Sequence, residues 1–256
     1  MLNAESAFGS LWKNAFCLML TYRKLGIQRR MDSATVLSID TEPSRVRVTK
    51  SILSCPEYMA ITRLYSRVRT KLEKLTLPAG LRSGMYLIPV APAAEVDTII
   101  ANAEEELRQL VDVFLAQYDT RIAEEAARLK SAYRTSDYPD PDTVRAAFGL
   151  TYSYITFDLP GTLETISATM LKREERRSME KVNNMLEDVN TYLREAMRSL
   201  VNHLVDRLSP SDTGKSKTFK SSTLTNLLEF LNTFEARNLG NDVELAQLVS
   251  SAKNVL

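Results

Sequence analysis

Two stretches of this chain, Ala93 to Tyr133 and Ser167 to Leu208, each carry about forty residues of almost unbroken amphipathic helix pattern. At a rise of about 1.5 Å per residue, each predicts a rod roughly 60 Å long, far beyond the usual globular helix. The first holds Val96, Ile99, Ile100, Ala103, Leu107, Leu110, Val111, Phe114, Tyr118, Ile122, Ala126, Leu129 and Tyr133, mostly three and four residues apart. That spacing places one apolar stripe along one helix face. The second has a strongly charged segment, Lys172-Arg173-Glu174-Glu175-Arg176-Arg177, then Val182, Leu186, Val189, Leu193, Ala196, Leu200, Leu204 and Leu208. The first half of that series steps like a heptad repeat, and the second drifts toward ordinary globular spacing. Antiparallel pairing of the two segments covers both stripes; self-association of one arm with another copy is the competing arrangement.

Shorter apolar runs predict a few strands. Ala15 to Tyr22 is one, and Arg45-Val46-Arg47-Val48-Thr49 alternates charge with valine as a half-buried strand does. Gly84 to Val90 is a third, with Pro89 at an edge or end, and Tyr152 to Phe157 alternates before Leu159-Pro160-Gly161. Together they predict a small mixed sheet. Ser54-Cys55-Pro56-Glu57 reads as a capping box opening a helix to about Leu75. The prolines and aspartates of Asp137 to Asp142 end the first long segment, and a short helix, Thr143 to Phe148, follows. Ser209 to Lys217 predicts a loop, followed by helices over Ser222–Arg237 and Asp242–Leu256, the latter capped by Asn241 and Glu244.

The expected fold class is therefore mainly α with a small β-sheet (α+β), its two long helices forming an antiparallel, coiled-coil-like hairpin. Three regions follow: a basic α/β region over 1–92, the hairpin with its short strand-containing connection over 93–209, and a C-terminal helical pair over 210–256. Eight glycines and nine prolines in 256 residues are few, which favours helix over a β-barrel.

Net charge is +1, but it is unevenly spread. Residues 1–90 hold 14 Lys/Arg against 6 Asp/Glu, and residues 91–165 hold 6 against 14. Internal attraction between these regions is the plainer reading, and a nucleic-acid surface the sharper one. Arg63, Arg67, Lys71 and Lys74 recur at four, four and three residues, forming one basic helical stripe. With Arg45, Arg47 and Lys50 nearby in sequence, it is the candidate binding surface. Pairing of the stripe with Glu104–Glu106 or with an acidic partner is the favoured reading over nucleic acid.

Chemical motifs are sparse. Asp212-Thr213-Gly214-Lys215-Ser216 ends like a P-loop, but Ser209 stands where the first glycine belongs and a helix, not a strand, leads in. His203 is the single histidine; its place between Leu200 and Leu204 on a helix favours a packing or surface role, with a catalytic one as the third reading. Cys17 and Cys55 lack metal-ligand spacing; a reduced compartment is the simpler reading, and one bridge between them the alternative. Adjacent carboxylates such as Glu104-Glu105-Glu106 diverge by roughly 100° on a helix and make no acid/base dyad. No catalytic residue, cofactor or metal site is expected. No apolar run is long enough to cross a bilayer, and no secretory leader is apparent, so a cytoplasmic protein without membrane contact is expected.

Several segments resemble an uncharacterised domain-of-unknown-function family of bacterial and phage proteins. The residues concerned are Cys55-Pro56-Glu57, Gly84 to Val90, Phe114-Leu115-Ala116-Gln117-Tyr118, Asp137-Tyr138-Pro139, Phe219-Lys220, Asn226 to Phe230, and Arg237-Asn238 through Glu244-Leu245, Leu248 and Val249. Members are often encoded beside MoxR-type AAA+ ATPases and cobaltochelatase-like von Willebrand A proteins. The resemblance covers about two thirds of the chain and rests on packing and capping residues. It implies a ring-forming ATPase as partner, in a bacterial or phage-infected cytoplasm, and brings no catalytic residues. The expected function is a non-enzymatic, homo-oligomeric interaction or assembly protein serving such an ATPase; the alternative is a nucleic-acid-binding protein using the basic N-terminal third.

Overall fold

A computed structural model describes residues 11–31, 45, 47–80, 83–157, 165–208 and 221–255. The chain is mainly helical with a small antiparallel sheet. In order it forms β1 (Ala15–Arg23), β2 (Gln28–Met31), β3 (Val48–Ser51), α1 (Pro56–Leu75), β4 (Leu77–Pro78), β5 (Met85–Pro89), α2 (Ala93–Ala116) and α3 (Tyr118–Leu129). Then come two 3-10 turns, α4 (Pro141–Ala147), β6 (Gly149–Ile155), α5 (Ala168–Leu208), α6 (Ser221–Arg237) and α7 (Val243–Val255).

The residues fall into two compact units, each discontinuous in sequence. One comprises 1–20, 70–97 and 152–256; the other comprises 21–69 and 98–151. Both units draw together segments far apart in the chain. Strand pairing is the reason. The sheet order is β4-β5-β1-β6, so β1 hydrogen-bonds with strands formed much later in the chain.

In the first unit, β1 pairs antiparallel with β5, Ala15 opposite Pro89 and Cys17 opposite Leu87. β4 pairs antiparallel with β5. The expected mixed sheet is thus antiparallel in these pairs, and β5 is an inner strand with Pro89 at its end, where the missing amide costs least. Gly84, at φ +81°, brings its carbonyl to the Leu20 amide at 2.8 Å. A Cβ there would meet the Leu20 oxygen at 2.8 Å, so this turn requires glycine.

The second long segment is one continuous helix of 41 residues, α5. Its stripe is buried at Val182, Met185, Val189 and Leu193. These join one core cluster with Leu77 and Leu87 of the sheet and Leu227, Phe230, Leu231, Phe234, Leu245 and Val249 of α6 and α7. The stripe expected to form half of a coiled-coil-like hairpin packs in this cluster with residues of the sheet and of the C-terminal pair. The helix α7 is capped by Asp242, whose carboxylate accepts from the Leu245 amide at 3.0 Å, one residue later than the Asn241 cap expected. Asn241 instead takes a positive φ of 52° in the preceding turn.

In the second unit, the first long segment does not form one helix. Hydrogen bonding is interrupted at Gln117, whose amide bonds to Phe114 at 3.1 Å, and α3 restarts at Tyr118. Packing decides this: Phe114 and Tyr118 are both almost fully buried, with rings 5.6 Å apart, and the Tyr118 hydroxyl donates to the Pro139 carbonyl at 3.1 Å. Phe114 also meets Phe148 and Tyr58, making a four-ring aromatic centre. The chain then shortens into 3-10 turns before Asp140 caps α4 through the Thr143 amide. A two-stranded sheet forms from β2 and β3, Arg29 opposite Lys50. The strand expected from Arg45 thus begins three residues later. Tyrosine hydroxyls tie down the irregular backbone: Tyr58 bonds the Leu25 carbonyl, Tyr65 that of Arg23 and Tyr138 that of Ile52. The start of α1 also departs from expectation. The helix opens at Pro56, and Glu57 turns to the Arg121 guanidinium rather than back to Ser54.

Candidate functional site

The α1 positions of the basic stripe stay on one exposed helix face, because the apolar residues between them, Leu64, Val68, Leu72 and Leu75, are buried. Two of its cations are engaged. Arg67 Nη2 lies 2.5 Å from Glu106, and Lys74 Nζ lies 2.5 Å from Glu229, all four side chains being about half exposed. Arg63 and Lys71 form no ion pair among the described residues. Exposed pairs of this kind contribute about 0–1 kcal/mol each, so they occupy the stripe more than they stabilise the fold.

Arg45 and Arg47 are exposed, whereas Lys50 of β3 is buried. The Lys50 ammonium lies 2.5 Å from the Asp137 carboxylate and also donates to the Ala132 carbonyl. Arg29, opposite Lys50 in the ladder, donates to the Asp137 carbonyl at 3.1 Å. The stripe and the 45–50 group are therefore different environments, one a solvated helix face and one a partly buried ion pair. Both Lys50–Asp137 and Arg67–Glu106 join a cation of the basic third to an anion of the acidic middle.

The cysteines are not set up as nucleophiles. Burial pushes the Cys17 thiol up to about 11 and raises that of Cys55 as well. A reactive thiol needs the opposite shift. Beside Cys55, the Arg121 guanidinium holds the Glu57 carboxyl below its ordinary value, through bonds of 2.6 and 3.1 Å. His203 is exposed on α5, in a shallow depression whose described lining belongs to that helix, including Glu195, Asn202 and Asp206. The segment Asp212 to Ser216 lies outside the described residues, as do Leu159-Pro160-Gly161 and Phe219-Lys220.

A cleft of about 420 Å³ in the first unit was not foreseen. It is bounded by the end of α1, the middle of α5 and α6, and its lining includes Arg237, the last residue of α6. Arg237 is 3% exposed, with the Tyr192 and Phe230 rings 5.6 and 5.8 Å from its guanidinium carbon. Tyr192 and Arg237 both donate to the Glu73 carbonyl, at 3.5 and 3.4 Å, near the negative end of α1. In sequence, Arg237 looks like any cation closing a helix, so spacing alone carries no signal for its burial.

No protein-family model, no curated protein and no solved structure matches this chain. Among the described residues, no helix is long and apolar enough to cross a membrane, and no cluster of three or more metal-ligating side chains occurs.

Proposed function

We propose that the protein is a non-enzymatic interaction and assembly protein, a homo-oligomer that acts as adaptor or scaffold for a MoxR-type AAA+ ATPase in a bacterial or phage-infected cytoplasm. The observation that supports this reading is the apolar surface of α5 beyond its covered stripe. Val201 and Val205 follow one another at one helical turn and are 37% and 56% exposed. Burying such a pair against a second copy removes apolar surface from water, at about 25 cal/mol per Å². The engagement of Arg67 by Glu106 and of Lys74 by Glu229 favours this reading over a nucleic-acid surface, which would use those cations unpaired.

Size-exclusion chromatography with light scattering on the full chain tests the assembly. An oligomer is expected, and Val201→Glu with Val205→Glu reduces it to a monomer. Pull-down with a purified MoxR-type ATPase tests the partner. A monomer at all concentrations that neither binds the ATPase nor alters its turnover overturns the reading. Retention on single-stranded DNA that Arg63→Glu and Lys71→Glu abolish replaces it with the nucleic-acid one.

A further inference from the structure

A buried guanidinium is a demanding group, because it stays charged and presents five N–H donors in a rigid fork. Arg237 places its Nε–H inside the first unit with no acceptor among the described residues, and it forms no ion pair there. The Glu73 carbonyl takes one donor of the five, and the Tyr192 hydroxyl beside the guanidinium also favours the cation. The flanking rings contribute about 0.5–2 kcal/mol each as cation–π contacts, which offsets charge burial but satisfies no N–H. Burial works against the cation, pulling it below the ordinary arginine value. Buried donors left without acceptors cost about 1–3 kcal/mol, so this one calls for an acceptor.

The cleft that Arg237 lines has two characters. Ala196, Leu200 and Phe230 give it an apolar side, and Ser199, Asn226 and Thr233 a polar one. Lys74 also lines it but is held by Glu229, and Glu73 brings a second carboxylate to the rim. With Lys74 paired and Glu73 exposed, Arg237 is the one buried charge of the described lining. A single carboxylate matches it, whereas a doubly charged phosphate would also face two glutamates. At about 420 Å³ the space suits an organic body of modest size.

We infer that this cleft binds a carboxylate carried on an apolar body, with the Arg237 guanidinium as its anchor and Phe230 and Leu200 against the body. The same chemistry comes from a short free acid or from the C-terminal carboxylate of a peptide. Calorimetric titration of the full chain with 4-methylpentanoate, its amide, N-acetyl-leucyl-leucine and inorganic phosphate tests this. Saturable binding of at least one acid is expected, about tenfold or more tighter than the amide, as a charge-assisted hydrogen bond implies. Binding by the peptide alone identifies a chain terminus as the source; binding by both acids identifies a small molecule. Arg237→Gln abolishes the preference for acid over amide. Should that variant fail to fold, Ser199→Tyr, an exposed position on α5 that lines the cleft, weakens binding by obstruction. The inference is overturned by equal binding of acid and amide, by preference for phosphate, by no saturable binding of either acid at millimolar concentration, or by unchanged affinity in both variants.

Discussion

Arg194 clasps Asp242 through two bonds, Nε to Oδ2 at 2.5 Å and Nη2 to Oδ1 at 2.9 Å, while the same carboxylate caps α7 at the Leu245 amide. One buried side chain thus fixes both the start of α7 and its attachment to α5. Asp242→Ala removes the cap and the pair together, and is expected to cost about 2 kcal/mol, the upper end for a cap. Urea unfolding measures it. The Arg194 guanidinium holds this carboxyl below its ordinary value of 3.8. Its contribution is therefore complete above that value and is lost as pH falls through the lower native one. Stability of the wild type should decline in acid, and Asp242→Asn should make that decline shallower.

Among the described residues, Lys50–Asp137 is the most enclosed ion pair of the second unit, its side chains 6% and 13% exposed. Asp137→Ala leaves the ammonium buried beside the Ala132 carbonyl, and should cost about 3 kcal/mol. Replacing both partners, Lys50→Met with Asp137→Leu, should cost much less than the sum of the single changes. A double-mutant cycle in chemical denaturation decides it; additive costs would show that the two do not interact.

At the interruption of the first long segment, Tyr118→Phe keeps the ring and loses only the bond to Pro139, for about 1 kcal/mol. Phe114→Ala empties the centre of the four-ring cluster and should cost about 3–5 kcal/mol. Thermal melts of the two variants should separate by several degrees, in that order.

The thiols provide a probe of opening. Cys17 is fully buried and Cys55 nearly so. In native protein at pH 8, Ellman's reagent should report almost no reaction, with both thiols appearing on addition of denaturant. Rapid labelling of either in the native state would mean that its part of the core opens easily.

Much of this architecture was readable from spacing. The steps of three and four that mark Val182, Val189 and Leu193 correctly place a buried face on α5, since burial follows helical periodicity. The apolar runs at Ala15 and Met85 became β1 and β5. What was not readable depends on contacts between distant residues. The interruption at Gln117 carries neither proline nor glycine; it follows from seating Phe114 and Tyr118 in one cluster with Phe148. The strand β2, Gln28-Arg29-Arg30-Met31, has no apolar alternation and exists because β3 lies beside it.

The candidate sites divide in the same way. Spacing alone put Arg63, Arg67, Lys71 and Lys74 on one face, but not which of them would meet Glu106 or Glu229. Arg237 gave no sign of its burial, because Tyr192 of α5 and the Glu73 carbonyl of α1 are what enclose it. Both capping boxes erred for a local reason: the glutamates assigned to them, Glu57 and Glu244, were taken by Arg121 and Arg194.

The central position of β1 has a consequence for biosynthesis. This strand is translated before its neighbours β5 and β6, and its apolar residues Leu18 and Leu20 have no sheet to join until those have followed. Such late, long-distance zippering slows maturation and leaves a sticky segment waiting. A nascent chain stalled before Gly149 should therefore be held by chaperones, and one stalled after α5 released from them.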